Sequence, residues 1–314
     1  MIPRRAIIHA LICSFLCASR GTFGQNARKV FRIGQLREGA TPLSGVFWEA
    51  MAGYGWFEGM NVSMHARFAK DANELPALAM EVVNLDVDVI VTDGTPATQA
   101  AKAATRTIPI VFAIGADPVE KGFVASLAHP GPNLTGFIFG SYAAKQLQIL
   151  KEALPKASLV ALPTGEHAPD LARVASSLGI RLKEIDVKGA GDLESFFQSV
   201  RSSQADAVLF PNIAWTGPHQ RTIGAMAIKN RLPLIATWSA FAESGALLAY
   251  GPTPRAYQAR LAAQVDKILK GANVSDIPIE QPQHFDLVIN LKTAKALGLA
   301  IPQPLLQRAD QLIQ

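Results

Sequence analysis

One stretch constrains the fold of this chain more than any other: residues 86–118, DVDVIVTDGTPATQAAKAATRTIPIVFAIGADP. Residues 87–91 are an apolar, β-branched run of the kind that fills a strand buried on both faces. Thr92-Asp-Gly-Thr95 breaks the run with turn chemistry, and Pro96 suits the first turn of a helix, where its missing N–H removes no bond. Thr95 stands before it as a candidate N-cap of an Ala-rich helix that runs to about Thr105, and residues 108–113 make the next strand. This is one strand–helix–strand unit of a parallel sheet, with a polar loop at the carboxyl end of each strand. The pattern recurs from Ala205. There an Asp-led apolar strand (205–210) is followed by Pro211-Asn212, a helix around 221–231, and Leu232-Pro-Leu-Ile-Ala236, an echo of Ile108-Pro-Ile-Val-Phe112. The repeat is one of pattern, with few identities. Two similar α/β halves predict two lobes facing one cleft.

The first 24 residues read as a secretory signal. Arg4 and Arg5 make a positive start, residues 6–18 are apolar but too short to span a bilayer, and Thr22-Phe-Gly24 offers small residues for a peptidase. Cleavage before Gln25 and a periplasmic location are expected. Cys13 and Cys17 both lie inside this segment, and neither follows the Leu-Ala-Gly type of triplet that bacterial lipid attachment prefers. Cleavage removes three arginines and no acid, so a net charge of +5 becomes +2. With no Lys/Arg run either, no nucleic-acid partner is expected. A cysteine-free mature chain excludes disulfides, thiolate metal sites and a Cys nucleophile together. No later apolar run is long enough for a membrane span.

At 314 residues, 49% hydrophobic and 18% charged, the chain can bury a sizeable core in one or two domains. Further strands are predicted at 30–34, 62–68, 134–139, 159–162, 182–187, 246–250 and 285–289. Further helices are predicted at 45–54, 75–85, 119–128, 144–154, 171–178, 193–202, 256–270 and 291–297. Such alternation is α/β, and the length favours two doubly wound parallel sheets.

Several spaced pieces resemble a known family. They are Gly53-Tyr-Gly-Trp-Phe-Glu-Gly-Met-Asn61, Asp88-Val-Ile-Val91, Ile108-Pro-Ile-Val-Phe112, Asp117-Pro-Val119 and Ser126-Leu-Ala-His-Pro-Gly-Pro-Asn-Leu-Thr-Gly136. In the tail they continue with Tyr250-Gly-Pro252, Lys267-Ile-Leu-Lys-Gly271 and Asn290-Leu-Lys-Thr-Ala-Lys-Ala-Leu-Gly298. The set, covering residues 30–314, is similar to the periplasmic substrate-binding proteins of ABC importers, in the group that includes tryptophan- and tyrosine-binding members. The resemblance implies a two-lobed, type I periplasmic binding fold with three crossings, near 136–143, 250–253 and 280–284. The lobes would then be 25–137 with 252–280, and 138–251 with 281–314. It also implies a monomer that works with an ABC permease and ATPase. The chain departs from the family's common form at 94–98 and 164–169, in loops facing the expected cleft.

The chemistry of the cleft is expected to be binding. At Thr95 the first N–H groups of a helix, with its dipole, suit a ligand carboxylate; alternatively they face water. Asp117 can accept a ligand ammonium or cap the turn that follows it. Trp238 and Trp215 can stack on a planar ligand, whereas Trp48 and Trp56 read as packing. Thr41, Gly94, Gly140, Thr164 and Asn212, in loops at or beside the cleft, complete the ligand-binding set. No Arg or Lys is expected there to bind a second acid, so the ligand expected is an aromatic or aliphatic amino acid, with an aromatic carboxylate as the nearest alternative. The histidines are scattered, and there is no G-x-S-x-G elbow, Walker A loop or G-x-G-x-x-G fingerprint. No metal, cofactor or catalytic residue is therefore expected. A periplasmic sensor and a periplasmic α/β enzyme are the other classes the sequence allows. The signal reading predicts that exported protein begins at Gln25 without lipid; intact mass checks it, and a diacylglyceryl terminus at Cys17 would contradict it.

Overall fold

The apolar runs between polar loops form two sheets in a computed structural model that describes residues 29–39, 43, 45–140, 142–165, 170–211 and 213–314. The first sheet contains β1 (Phe31–Glu38), β2 (Val62–Ala69), β3 (Val89–Asp93), β4 (Ile110–Ile114) and β5 (Leu134–Ile138). Its order is β2-β1-β3-β4-β5 and every pairing is parallel. The second contains β6 (Leu159–Pro163), β7 (Arg181–Ile185), β8 (Ala207–Phe210), β9 (Leu234–Ala236), β10 (Leu248–Gly251), β11 (Asp286–Asn290) and β12 (Gln311–Ile313). Its order is β12-β11-β10-β9-β8-β6-β7. Here β11 pairs antiparallel with β10, so β11 and β12 oppose the other strands, a departure from an all-parallel reading.

Helices α1 (Gly45–Gly53), α2 (Leu75–Val83) and α3 (Thr95–Ala104) connect the first strands. The second half carries α4 (Ala143–Ala153), α5 (Asp170–Ser177), α6 (Leu193–Ser202), α7 (Gln220–Lys229) and the short α8 (Ser239–Glu243). The tail adds α9 (Pro254–Leu269), α10 (Leu291–Leu297) and α11 (Gln303–Gln307).

The Asp-led strands have a common physical basis. Asp88 gives its N–H to the Arg32 carbonyl (2.8 Å) and takes the Arg32 N–H on its carboxylate (2.8 Å). Asp206 does the same to Leu159 (2.8 and 2.9 Å), and Asp310 to Leu287 (2.9 and 2.7 Å). Each aspartate sits immediately before its strand, β3, β8 or β12. It fixes that strand's register against a neighbour by satisfying a backbone donor the ladder would otherwise leave open.

Two local expectations are corrected. Residues 119–128 are a chain of turns rather than a helix. The N–H groups of Phe123 and Val124 both return to the Pro118 carbonyl, and Gly122 takes a left-handed φ of +64°, which stops helical propagation. At α3 the N-cap is Gly94 (φ +95°), with no side-chain cap, and Thr95 is the first helical residue. The helix start is held instead from within. The Thr98 hydroxyl donates to the Gly94 carbonyl (3.0 Å) and lies 2.8 Å from the buried Thr92 hydroxyl of β3.

The chain passes between the sheets three times. It leaves β5 through Phe139 and Gly140 to α4, leaves β10 for α9, and returns to β11 past Glu280. Helix α9 packs on α1, β4 and β5, where the Gln264 amide donates to the Gly136 carbonyl (3.0 Å). Glu280 extends the edge of β5 through its own N–H and carbonyl. Rings hold the three passages together: Phe285 meets Tyr142 edge-on (4.9 Å) and stacks on Tyr250 (5.8 Å, 15° between planes). The expected signal segment, with Cys13 and Cys17, lies outside the described residues. Among those described, no helix is long and apolar enough to cross a membrane.

The Asp206 clamp makes a prediction with a definite sign. Partial burial pushes its pKa up, but the N–H groups of Ser158 and Leu159, the Ser158 hydroxyl and the charge of Lys151 together pull it below the ordinary 3.8. A depressed folded pKa stabilises the fold above the unfolded value, and that stabilisation is lost as pH falls through the folded one. The stability gap between wild type and Asp206→Asn, measured by urea denaturation, should therefore shrink from about pH 7 to about pH 3. A gap independent of pH would contradict the clamp.

Candidate functional site

At the carboxyl ends of the first sheet, β1 finishes on Arg37-Glu38 and β3 on Asp93, and the strand register sets Arg37 beside Asp93. Arg37 Nη1 lies 3.0 Å from Asp93 Oδ2, with the two side chains 12% and 25% exposed. Burial pushes the Asp93 carboxyl above its usual range, and the Arg37 guanidinium opposes that shift. Arg37 Nε also donates to the Glu38 carbonyl (3.2 Å), which holds the guanidinium along the strand end. A basic group thus stands at these strand ends, paired with a carboxylate.

An aromatic node stands next to this pair. Phe139, on the first passage out of β5, meets Trp238 edge-on at 5.3 Å and Tyr257 at 4.9 Å. Trp238 follows β9 of the second sheet, while Tyr257 comes from α9 and lies 5.9 Å from the indole. Elements packed on both sheets thus meet in three rings, each at least nine-tenths buried. The Tyr257 hydroxyl accepts from Gln258 (3.3 Å), and its pKa is pushed up by burial first and by the Asp93 charge second. Helix α9, which carries Tyr257, packs on β3, the strand that ends at Asp93. Farther out, a Cβ on Gly39 would lie 2.8 Å from Pro218 Cγ, so the loop after β1 touches the 3₁₀ turn Ala214–His219 of the other half. Gly39 has a φ of +76°, so a side chain there would also be strained.

The expected residues fall in several places. Gly94 and Thr95 follow Asp93 directly at the start of α3. Trp238 lies in the aromatic node, and Trp215, half-buried, sits edge-on to Phe210 at 6.2 Å in the turn that reaches Gly39. Gly140 is exposed, with a φ of +68°, and its Cβ position is 4.0 Å from Tyr142 Oη. That phenol oxygen is buried and has no hydrogen-bond partner among the described residues. Asp117 is exposed, and its Oδ1 accepts from the N–H groups of Val119 (2.7 Å) and Glu120 (3.2 Å), which occupies it in its own turn. Thr164 is exposed, with its N–H on the Ile185 carbonyl (2.9 Å). Thr41 and Asn212 lie outside the described residues. Trp56 donates to Asp266 (2.8 Å) and packs on Phe31, away from the node.

Sequence reasoning missed Arg37, Asp93, Phe139, Tyr142 and Tyr257. A usable signal existed for the first two, since charged residues closing the first and third strands of a parallel sheet fall where ligands bind. Among the described residues no group of three His, Cys, Asp or Glu side chains can hold a metal.

Comparison with known proteins gives the same architecture. A family model described as ABC transporter substrate binding protein matches residues 43–313. A tyrosine-binding protein of Clostridioides difficile is 28% identical over 262 residues, which are 81% of this chain and 75% of that one. A Streptococcus pneumoniae ABC domain solved with L-Trp superposes with a TM-score of 0.82 at 23% identity, covering 90% of this chain and 99% of that one. A ligand-free, open substrate-binding protein with adhesive properties from Clostridium difficile gives 0.61 at 24% identity, over 91% and 100%. The fold is thus that of type I periplasmic binding proteins, with two lobes. The node predicts its own cost of removal. Phe139→Ala should lower stability by about 3 to 5 kcal/mol in urea denaturation, the usual price of emptying a buried phenylalanine site. A loss below about 1 kcal/mol would show that the rings do not carry the contact between halves.

Proposed function

Since the chain belongs to the ABC transporter substrate-binding protein family, we propose that it is a periplasmic receptor that closes two lobes on an amino acid, aromatic or aliphatic. It then delivers that ligand to a membrane permease and its ATPase. The observation that carries this reading is the aromatic node of Phe139, Tyr257 and Trp238, supplied by elements of both halves beside the open strand ends. A ligand lying there touches both lobes at once. Only contacts that differ between open and closed states can shift that equilibrium, and a wall shared by both lobes supplies them.

Two further facts support the reading. One relative is a tyrosine-binding protein, and one fold neighbour was solved with L-Trp. The close approach of Gly39 to Pro218, from the loop after β1 to the other half, is in keeping with a closed form. We take residues 25–137 with 252–280 as one lobe and 138–251 with 281–314 as the other. The receptor acts as a monomer and makes or breaks no covalent bond. Gly94, Thr95, Gly140, Trp215 and Trp238 border the ligand, with Thr164 on a surrounding loop; Thr41 and Asn212 belong to the proposed set by sequence alone.

Calorimetry against a panel of amino acids, aromatic acids and sugars, followed by small-angle scattering with the tightest binder, tests the proposal. An aromatic or aliphatic L-amino acid should bind best and reduce the radius of gyration. Tightest binding by a sugar, or an unchanged radius at saturation, would contradict it.

A further inference from the structure

The Arg37–Asp93 pair has no evident structural reason to be where it is. A buried or half-buried ion pair rarely stabilises a fold more than apolar residues of the same size, because desolvation offsets the attraction. The equivalent ends of the neighbouring strands are apolar: Ala113-Ile114 closes β4, and Phe137-Ile138 closes β5. The pair also differs from the surface ion pairs of this protein. Arg255–Glu49 and Lys229–Glu194, for example, have both side chains more than half exposed. Arg37 is 12% exposed and Asp93 25%, so the pair is enclosed without being sealed from solvent. Helix α9 packs on β3, the strand that ends at Asp93, and its Tyr257 ring packs on Phe139 and Trp238.

An α-amino acid carries a cation and an anion on one carbon. A guanidinium and a carboxylate in contact, aligned along one strand register, offer the opposite charges at matching spacing. We propose that Arg37 receives the α-carboxylate and Asp93 the α-ammonium of an amino-acid ligand, whose side chain lies against the Phe139–Tyr257–Trp238 node. The two groups face each other in the absence of ligand, and a second, inverted pair joins them when one arrives. Four alternating charges then share a site with little water, where charge-assisted hydrogen bonds are strongest. The requirement is general to amino-acid zwitterions; the side chain is read separately, by the rings.

This assignment rests on the amino-acid reading above, and the experiment separates the two. Calorimetry is run on wild type, Arg37→Gln and Asp93→Asn with L-tryptophan, L-tyrosine and L-leucine. Each amino acid is paired with its deaminated acid and its decarboxylated amine. Wild type should prefer the intact amino acid over both analogues by about a hundredfold or more, as sites built for a polar group do. Asp93→Asn should abolish the preference over the deaminated acid and keep the preference over the amine; Arg37→Gln should do the reverse. Asp93→Glu keeps the charge but moves the carboxylate by one methylene, which guards against simple misfolding. It should weaken the intact amino acid about tenfold and leave the deaminated acid unchanged. Wild-type preferences retained in both neutral variants would overturn the assignment while leaving the amino-acid receptor standing. Wild type that binds none of the three amino acids would overturn the receptor reading itself, and this assignment with it.

Discussion

The contact of Phe139, Tyr257 and Trp238 is the interaction on which the arrangement of the two halves depends. Each half has its own sheet and its own apolar clusters, and only three passages of chain join them. Without a shared buried element the halves would be related only by those passages. The node supplies it with rings from a passage, from a returning helix and from the loop after β9. A continuous apolar cluster follows, running from Ile33 and Val91 of the first sheet to Val208 and Phe210 of the second. Edge-to-face rings tolerate small rotations better than interdigitated aliphatic side chains do, because their attraction depends on quadrupoles at distances of about 4.5 to 7 Å.

Around the node, polar groups set position rather than cohesion. The three aspartates before β3, β8 and β12 each bind one residue of a neighbouring strand on two sides, so the registers of both sheets are pinned at their amino ends. Pinning there determines what meets at the carboxyl ends. Arg37 and Asp93 become neighbours because Asp88 holds β3 against Arg32 at the other end of the same strand pair. A slip of one residue would turn Arg37 to the opposite face and separate the charges.

Much of this fold could be read from the chain, for physical reasons. Buried parallel strands need long β-branched runs, which is why residues 87–91 and 205–210 were legible, and the Asp-led pattern shared by the two halves has a common hydrogen-bonding cause. The third clamp, at Asp310, was not legible, because β12 is only three residues long and half-exposed. The turns at 119–128 read as a helix because their apolar spacing is helical, whereas Pro118 and Gly122 decide the backbone. The site was less legible than the fold. Arg37 and Asp93 are brought together by strand register, a non-local property, and Tyr257 by the return of α9 across the first sheet. Asp117, locally conspicuous before a proline, caps its own turn with one carboxylate oxygen.

We propose, then, an amino acid between the halves, held by its two charges at the ends of β1 and β3 and by its side chain on the node. The most direct measurement is a crystal structure of the complex with the amino acid that binds tightest. In that complex the α-carboxylate should lie within hydrogen-bonding distance of Arg37, the α-ammonium within the same distance of Asp93, and the side chain against Tyr257 and Trp238. An amino acid bound elsewhere, or bound between the halves with neither charge on this pair, would contradict it.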